Sequence, residues 1–307
     1  MSRPDLTWRR VAGVRHALVN AVRPAPRIDD DPPLVSVVTA TYNWSSVLYW
    51  AIRSVRAQRY PRWELIVVGD YCTDDSQAVV ESFGDPRIRW HNRDRNAGSQ
   101  SLPNNDGIAM ARGELVAYLG HDDLWTPDHL TRLVAAQQRT GADVAFSLTE
   151  VIGPPGSGMR NVTGLKSNGY EGGHLAPSSL LHRRELTERI GGWRDYREIE
   201  AAPDVEFTER ALAAGASFAC SWALTAFKLP SAMRRNSYVE RASHEQEELA
   251  RRMETERAFQ LRELGRAVAS RLRHPQTDPH SLGPQIPGDA GKGAQVREAR
   301  RIRGLDP

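Results

Sequence analysis

Apolar residues in the chain alternate between nearly continuous runs and stretches with helical spacing. The runs LVSVVTA at 34–40, WELIVV at 63–68 and LVAYL at 115–119 have the length of strands. Continuous apolar runs are expected where a parallel sheet is covered on both faces. Apolar residues recur three and four positions apart in the intervals, which predicts helices there. The alternation predicts a single Rossmann-like α/β sandwich of three layers with a mainly parallel central sheet.

The same pattern divides the chain into regions. Residues 1–33 combine a predicted helix with a linker rich in Pro and Asp, and the main domain is expected at 34–239. Within that domain, residues 153–173 are rich in Gly, Pro, Ser and Asn and predict a long loop. A highly charged helix is predicted at 240–273 as a C-terminal extension. The tail at 274–307 carries many Gly, Pro and Arg residues, and we expect it to be disordered.

The two predicted terminal helices each allow more than one role. The helix at 5–22 has an apolar face and several Arg residues elsewhere, so it could lie on an anionic membrane surface as a peripheral contact. The alternative, which we prefer, is that it packs on its own domain or on a second subunit. The charged helix at 240–273 is expected either to be solvated or to form a homo-oligomer.

The composition is that of a globular protein without a strong charge bias. Of 307 residues, 40% are hydrophobic and 26% are charged, and the net charge is only +3, so the pI near 9.0 does not indicate a nucleic-acid partner. Cys72 and Cys220 are too few for a disulfide scaffold and wrongly spaced for zinc. No apolar run reaches the length of a membrane span, and the N-terminus lacks a signal-peptide core. We therefore expect a cytoplasmic protein.

Polar clusters follow three of the predicted strands. Thr41 and Tyr42 follow the first run, Asp70 follows the second, and Asp122 and Asp123 follow the third. The carboxyl ends of parallel strands lie at one edge of a sheet, which is where such sheets bind ligands. We therefore expect the three clusters to converge on one site.

The adjacent carboxylates Asp122 and Asp123 are candidate cation ligands. Two like charges about 4 Å apart repel by roughly 4 kcal/mol at an effective dielectric constant of about 20. A divalent cation reverses the sign of this interaction, and Mg²⁺ is commonly held by one or two carboxylates together with substrate phosphates. The alternative is an acidic turn without a ligand, because Asp also favours loops and caps.

Five segments, in order along the chain, resemble the motifs of family 2 glycosyltransferases. VSVVTATYN resembles the first strand of the family with its Thr-Tyr-Asn ending, and WELIVVGDYCTDDS resembles E-L-I-V-V-D-D-G-S-T-D-D. NAGSQSLPNNDGIAMARGELVAYLGHDD resembles N-x-G-x-x-x-A-R-N-x-G-I-x-x-A-x-G-E-Y-I-x-F-L-D-x-D-D. IGGWRD followed by PDVEFTERALAAG resembles the acceptor-side I-G-G-F-D-E and E-D-x-x-L segments. The resemblance covers residues 34 to about 230.

The resemblance implies a GT-A fold and an inverting, metal-assisted sugar transfer, in bacterial glycan, polysaccharide or glycoconjugate synthesis. Residues 34–150 would bind a UDP-, GDP- or dTDP-linked sugar, and residues 151–239 would bind a glycan, lipid-linked or small-molecule acceptor. The implied cofactor is a divalent cation, Mn²⁺ or Mg²⁺. No nucleic-acid partner is implied, and the protein would be cytoplasmic, in contact with the inner face of the membrane if it is peripheral.

The resemblance also implies roles for the polar clusters. Tyr42 would stack on or line the base of the nucleotide, Thr41 would line the same pocket, and Asp70 would accept the imide N–H of the base. Asp122 would contact the ribose or help to hold the cation. Asp123 would be the main cation ligand to the donor diphosphate.

Asp204 corresponds to the general base of the family, and Glu206 is the alternative base. An attacking hydroxyl needs a positioned carboxylate to take its proton, and a metal neutralises the charge of the leaving diphosphate. One base and no obvious second nucleophile indicate direct displacement with inversion.

Three departures from the family pattern affect these implied roles. Gly69 stands where many relatives have the first of two Asp residues, and Asn104 replaces an Arg. These two changes put the identity of the donor in doubt. Pro203 stands where an acidic residue usually precedes the catalytic Asp, which leaves the pKa and placement of Asp204 open.

Five further residues are candidate contacts for the acceptor or the diphosphate, and each has a structural alternative. His121 could contact the metal or could pack at the strand end, and His174 could line the acceptor pocket or lie on a surface loop. Trp193 could stack on a sugar or belong to the core. Arg234 and Arg235 could clamp the diphosphate or be solvated.

Two other functions stay open at this stage. A pseudo-glycosyltransferase that binds a nucleotide sugar, or that scaffolds an assembly, is compatible with the departures at Gly69 and Pro203. A sugar nucleotidyltransferase is the other alternative, but that class usually has a Gly-rich loop with Arg and Lys after its first strand. The segment TYNWSSV has no such loop.

Overall fold

One mixed sheet runs through the centre of the molecule. The computed structural model describes residues 5–27, 30–165, 170, 172, 174–273 and 291–305, and within them the sheet has nine strands. In chain order the strands are β1 (Val35–Thr41), β2 (Trp63–Gly69), β3 (Ile88–Asn92), β4 (Leu115–Tyr118), β5 (Leu124–Trp125), β6 (Val144–Ile152), β7 (Arg160–Thr163), β8 (Leu180–Arg183) and β9 (Phe218–Lys228).

The strands lie in the order β3-β2-β1-β4-β8-β6-β9-β5, and β7 pairs with β6. β1 pairs in parallel with both β2 and β4, β2 with β3, and β6 with β9. β8 is antiparallel to both of its neighbours, β4 and β6. As a result β3, β2, β1, β4, β6 and β9 all run in one direction, which confirms the predicted mainly parallel sheet.

Helices cover both faces of this sheet, since successive residues of a buried strand contribute to opposite faces. Val37 of β1 packs in one core with Leu48 and Ile52, whereas its neighbour Val38 packs in a second core that includes Phe207. The three layers were predicted, and they are confirmed. The helices are α1 (Asp5–Val22), α2 (Ser45–Arg56), α3 (Ser76–Ser82), α4 (Ser101–Met110), α5 (His129–Thr140), α6 (Arg184–Ile190), α7 (Pro203–Ala213), α8 (Ser237–Glu240), α9 (His244–Thr255), α10 (Phe259–Arg273) and α11 (Ala294–Arg303).

The N-terminal helix α1 packs on its own domain. Ala17 is buried, the rings of His16 and Trp222 lie 5.1 Å apart, and Arg132 Nη2 donates to the carbonyl of Arg23 just after the helix, at 2.7 Å. Of the alternatives that the sequence left open for this helix, these contacts correspond to packing on its own domain. Among the described helices, none combines the length and the apolar character needed to cross a membrane.

Three regions differ from the expectations. The stretch 153–173 contains β7, which pairs with β6, although part of this stretch lies outside the described residues. The single charged helix expected at 240–273 is divided into two helices, α9 and α10, and Ala258 between them has a left-handed φ of 52°. The tail was expected to be disordered, and this is wrong for residues 294–303, which form α11; residues 274–290 lie outside the described part.

Candidate active site

A cavity of about 640 Å³ lies at the carboxyl ends of β1, β2 and β4. Tyr42, Asp70 and Asp122, from the three polar clusters, all line it, so the clusters converge as expected from the topology. The same cavity is lined by Asp204, from the first turn of α7, and by Lys228, the last residue of β9.

Asp70 is buried and holds the loop that follows β3. Its Oδ1 accepts from the backbone N–H of Ala97 at 2.7 Å and from Arg93 Nη1 at 3.2 Å, and its Oδ2 accepts from the N–H of Gly98 at 3.2 Å. Burial raises the pKa of Asp70 despite these donors. The carboxylate therefore shapes the cavity wall as well as facing the cavity.

The departure at Gly69 has a steric explanation. A Cβ atom at this position would lie 2.6 Å from the ring of Trp90 and 2.5 Å from Asn92 Oδ1. Asn92 is fixed, because its Oδ1 accepts from the N–H of Cys72 at 2.8 Å and its Nδ2 donates to the carbonyl of the same residue at 2.9 Å. The space that an Asp side chain would need is already filled.

His121 lines the cavity, but both of its ring nitrogens are engaged. Nδ1 is hydrogen-bonded to Thr41 Oγ1 at 2.8 Å, and Nε2 to the hydroxyl of Tyr238 at 3.0 Å. Burial lowers the pKa of His121, which favours a neutral ring. This arrangement fits the packing alternative better than a metal ligand. It also fixes Thr41 and Tyr238, whose ring lies 6.2 Å from that of Tyr42.

The two adjacent carboxylates occupy different environments. Asp122 lines the cavity, and its Oδ2 accepts from the N–H of Ser231 at 3.3 Å. Asp123 is fully buried behind it, where its Oδ2 accepts from Ser178 Oγ at 2.5 Å and from Lys228 Nζ at 3.1 Å. Its Oδ1 accepts from the N–H of Leu229 at 3.3 Å. Asp122 is thus the carboxylate that a ligand in the cavity meets first.

Burial and neighbouring charges shift the pKa values of the acidic pair and of Lys228 in opposite directions. Burial raises the pKa of Asp123 to about 6. Burial acts in the same direction on Asp122, but electrostatic interactions with His121 first, and then with Lys228 and Arg303, outweigh burial and lower the pKa of Asp122. Burial would lower the pKa of Lys228, yet the neighbouring carboxylates outweigh it and raise that pKa. Lys228 therefore remains a cation between the acidic side chains.

The residues present fit a divalent cation only in part. In the described portion of the chain, no group of three or more His, Cys, Asp and Glu side chains is arranged to hold a metal. Gly120 stands where the family pattern has the first Asp of D-x-D-D. The Asp122 carboxylate is nevertheless at the cavity, and a hard cation can take its other ligands from phosphate oxygens and water. The fit is thus to a cation that enters together with a diphosphate.

Asp204 is paired with His174, which the sequence had suggested only as a separate candidate. His174 Nε2 lies 2.8 Å from Asp204 Oδ2, and both residues line the cavity. Burial opposes ionisation of Asp204, but its interactions with His174, and then with Lys228, outweigh burial and lower the pKa of Asp204. Pro203 occupies the first position of α7, where a missing N–H costs no helical hydrogen bond. The first turn also stabilises the Asp204 carboxylate.

Glu206, the alternative base, is committed elsewhere. Its two carboxylate oxygens accept from Arg210 Nε at 2.7 Å and from Arg210 Nη2 at 2.9 Å, one turn further along α7. Arg194 Nη1 lies 3.4 Å from the same carboxylate. Glu206 is thus paired with Arg210 along α7 and does not line the cavity, so the geometry favours Asp204 as the base.

Three of the candidate contacts do not line the cavity. Trp193 is buried and stacks on Phe207 with ring centroids 4.5 Å apart, as a core residue. Arg234 forms a bidentate pair with Glu245, with both distances 2.7 Å, and does not line the cavity. Arg235 is exposed and does not line it either. In this arrangement neither residue is placed at the cavity, where the alternative of a diphosphate clamp would require them.

Other residues of the cavity were missed by sequence reasoning. Lys228 is one of only three Lys residues in the chain, and that rarity, at the end of a predicted strand, could have drawn attention to it. Tyr238, which also lines the cavity, carries no such indication, and neither does Ser178, which donates to the buried Asp123. Arg300 and Arg303 line the cavity from α11, in the tail that was expected to be disordered.

Comparison with known proteins agrees with this architecture. Residues 36–187, about half of the chain, match the family model described as glycosyl transferase family 2. The chain is 36% identical over 135 residues to the succinoglycan biosynthesis protein ExoO of Rhizobium meliloti, covering 44% of this chain and 38% of that protein. It is 25% identical over 156 residues to the Escherichia coli protein named UDP-Glc:alpha-D-GlcNAc-diphosphoundecaprenol beta-1,3-glucosyltransferase WfgD, covering 51% of this chain and 56% of that one. The chain thus spans between about two fifths and just over half of these relatives.

Solved structures of similar shape include two glycosyltransferases. Residues 1–349 of Staphylococcus aureus TarS, in complex with UDP-GlcNAc, superpose with a TM-score of 0.56 at 20% identity, covering 88% of this chain and 81% of that one. The mannosyltransferase PcManGT from Pyrobaculum calidifontis, in complex with GDP-Man and Mn²⁺, superposes with a TM-score of 0.54 at 15% identity, covering 98% and 96%. At such identities the likeness establishes the fold alone, and that fold is GT-A. With the matched family segment and the shared fold, the chain belongs to glycosyltransferase family 2.

Proposed function

We propose that this protein is an inverting glycosyltransferase that moves a sugar from a nucleoside-diphosphate sugar to an acceptor hydroxyl in bacterial polysaccharide or glycoconjugate synthesis. One observation carries the proposal. A single cavity is lined by Tyr42, Asp70, Asp122, Lys228 and Asp204. The neighbouring strands β2, β1 and β4 bring Asp70, Tyr42 and Asp122 to one edge of the sheet, and the charge of Lys228 acts on both Asp122 and Asp204. One cavity thus combines groups suited to the base, the diphosphate and the reacting hydroxyl of such a transfer.

The nucleotide is proposed to bind against the ends of β1 and β2. The Tyr42 ring would line the base, next to Tyr238, and Thr41 is held in place by His121. Asp70 would accept an N–H of the base. Because three donors from the loop after β3 already orient this carboxylate, it would pay little additional entropy on binding.

The diphosphate is proposed to lie between Asp122 and Lys228. A divalent cation, Mn²⁺ or Mg²⁺, when bound by Asp122, would neutralise negative charge on the leaving group. The Lys228 ammonium, 3.1 Å from Asp123 Oδ2, supplies a second positive charge that the protein itself holds in place. Preorganised charge of this kind stabilises a transition state without reorganisation.

The acceptor hydroxyl is proposed to lose its proton to Asp204. The carboxylate is oriented by His174 at 2.8 Å, and its lowered pKa keeps it ionised at neutral pH. A direct displacement requires this one base and no covalent intermediate, and the product would have inverted configuration at the anomeric carbon.

The donor is proposed to be UDP-, GDP- or dTDP-linked, and the acceptor a glycan or a lipid-linked sugar. TarS is described with UDP-GlcNAc and PcManGT with GDP-Man, and the name of WfgD includes a diphosphoundecaprenol acceptor. A lipid-linked acceptor would place the protein in the cytoplasm at the inner face of the membrane.

The proposal is tested by binding first and by transfer second. UDP, GDP and dTDP are screened by thermal shift with and without Mn²⁺, because a ligand that binds the native state raises its apparent stability. Transfer is then measured with sugars linked to the nucleotide so identified. Asp204→Asn should lower transfer by about 100-fold or more while nucleotide binding is retained. Glu209→Gln, an exposed position on the same helix, is the matched control. Full transfer by the Asp204→Asn variant, or no binding of any of the three nucleotides, would contradict the proposal.

A further inference from the structure

The C-terminal helix α11 closes one side of the cavity and is attached to the domain at both ends. Before the helix, the N–H of Gly293 donates to the carbonyl of Ile199 at 2.8 Å. At its last turn, the carbonyl of Ile302 accepts from the N–H of Asn236 at 2.9 Å. The helix is therefore a fixed wall of the cavity.

One face of α11 is turned toward the cavity. Val296, Ala299, Arg300 and Arg303 line the cavity, and their spacing of three, one and three residues corresponds to a single helical face. Arg301 belongs to the outer face, where its Nη2 donates to Glu298 Oε1 at 2.6 Å and its side chain is 64% exposed. The helix thus carries Arg side chains on both faces, and the two sets have different surroundings.

The inner Arg residues differ in what they already bind. Arg300 Nη1 donates to the carbonyl of Gly98 at 3.1 Å, and the N–H of Gly98 donates to Asp70 Oδ2 at 3.2 Å. This chain of bonds ties α11 to the loop that Asp70 holds. Arg303 is different, because its Nε is buried and has no hydrogen-bond partner within the described residues.

Arg303 also acts electrostatically on the centre of the site. Its positive charge contributes to lowering the pKa of both His121 and Asp122. A buried donor without a partner is costly to leave unsatisfied, and a guanidinium matches phosphate oxygens with paired donors in a fixed geometry. An anionic ligand beside Asp122 would supply both the missing acceptor and the opposite charge.

We propose that Arg303 binds the diphosphate of the donor nucleotide and that Arg300 positions α11 against the loop at Gly98. This inference rests on the proposed function, and it adds a binding residue that lies more than 100 positions beyond the matched family segment. The diphosphate would then lie between Lys228 and Arg303, with Asp122 and its cation beside it.

The test compares Arg303→Gln with Arg301→Gln in the full chain. Both variants remove one guanidinium from α11, but only the first removes it from the cavity. Dissociation constants are measured by calorimetry for the nucleoside diphosphate identified in the screen and for the corresponding nucleoside. Arg303→Gln should weaken diphosphate binding by about tenfold or more and leave nucleoside binding unchanged. Arg301→Gln should change neither, and Arg303→Lys should fall between Arg303→Gln and the wild type.

Three outcomes would overturn the inference. Unchanged diphosphate binding by Arg303→Gln would show that the side chain makes no contact. An equal loss for nucleoside and diphosphate would show a purely structural role, and tighter diphosphate binding would show that α11 obstructs the site. If the wild type binds none of the three diphosphates, the proposed function itself fails, which is a separate result.

Discussion

At the scale of single residues, the acidic pair shows what a sequence can and cannot assign. The two adjacent carboxylates were predicted to form a ligand site because of their place after a buried strand. Their unequal exposure was not predictable, because it depends on Lys228 and Ser178, which are 105 and 55 positions further along the chain than Asp123. The sequence favoured Asp123 as the main cation ligand, whereas the geometry makes Asp122 the better candidate.

Lys228→Met should destabilise the protein by about 3 kcal/mol, because it leaves the buried carboxylates without their positive partner. The loss should be larger at pH 8 than at pH 5, since protonation of Asp123, whose pKa is about 6, removes part of the uncompensated charge. Urea unfolding of the variant and the wild type at both pH values measures this loss in the free energy of unfolding. Lys228→Arg, which keeps the charge, is the control. Equal stability of Lys228→Met and the wild type at pH 8 would mean that the ion pair between Lys228 and Asp123 contributes nothing to stability.

His182 in β8 should make the protein sensitive to acid. It is fully buried, its Nε2 is hydrogen-bonded to the hydroxyl of Tyr118 at 2.8 Å, and burial lowers its pKa to about 4. The unfolded chain binds a proton near pH 6.5, so the folded state binds fewer protons between pH 6.5 and 4 and loses stability as the pH falls through that range. The contribution should be about 2 kcal/mol between pH 7 and pH 5.

A His182→Gln variant isolates this contribution. Its unfolding free energy should be lower than that of the wild type at pH 7, but it should fall less between pH 7 and pH 5. Urea titrations at the two pH values provide the comparison. If the two proteins lose the same free energy on acidification, His182 does not titrate as described.

At the scale of elements, prediction succeeded where a segment forms its own pattern. The strands β1, β2 and β4 are continuous apolar runs, and the α7 segment has helical spacing, so these elements could be predicted locally. β5 contains only Leu124 and Trp125 and exists because it pairs with β9, which no local pattern reveals. β7 lies in a stretch rich in Gly and Pro, and it likewise depends on its partner, β6.

Helix α11 was missed for a related reason. Its sequence, AQVREARRIR, is dominated by Arg and flanked by Gly residues, which is also the composition of a solvated tail. Helical structure there depends on a surface that it can cover. The cavity rim and the segment at Asn236 provide that surface, and neither is recognisable in the residues of α11 themselves.

Two helical glycines should respond oppositely to Ala. A Cβ atom at Gly107 of α4 would lie 2.4 Å from Val38 Cγ1 of β1, so Gly107→Ala must push the helix away from the strand, and we expect a loss of about 1–3 kcal/mol. At Gly265 of α10 a Cβ would meet no atom within 4 Å, and Ala should stabilise the helix by about 0.5–1 kcal/mol. Chemical denaturation of both variants and the wild type measures whether the free energy of unfolding falls or rises. Gain of stability in Gly107→Ala would contradict the close packing of α4 on β1.

At the scale of the whole molecule, the site is assembled from distant parts of the chain. The nucleotide side comes from β1 and β2, the acidic pair follows β4, the proposed base is in α7, and positive charges come from β9 and α11. The resemblance predicted the first three because each carries a motif. The positive charges escaped prediction because single Lys and Arg residues in an Arg-rich chain carry no motif.

Cation and nucleotide binding should be coupled in the whole protein. Lys228 already neutralises Asp123 in the free protein, and a cation at Asp122 would lack ligands until phosphate oxygens arrive. Mn²⁺ should therefore bind the free protein at least about tenfold more weakly than the nucleotide-bound protein. Electron paramagnetic resonance of unbound Mn²⁺ measures both affinities, with a titration of nucleotide and Mn²⁺ without protein as the control. Equal affinities would contradict the coupling.

The position of α11 has a practical consequence for anyone who prepares this protein. Leu305, just beyond the helix, lines the cavity, so any segment joined after it starts at the cavity rim. An affinity tag or fusion partner placed there would be crowded against the entrance, and a bulky one would alter ligand access. None of the described residues of α1 lines the cavity, so a tag ahead of that helix is the better choice for binding experiments.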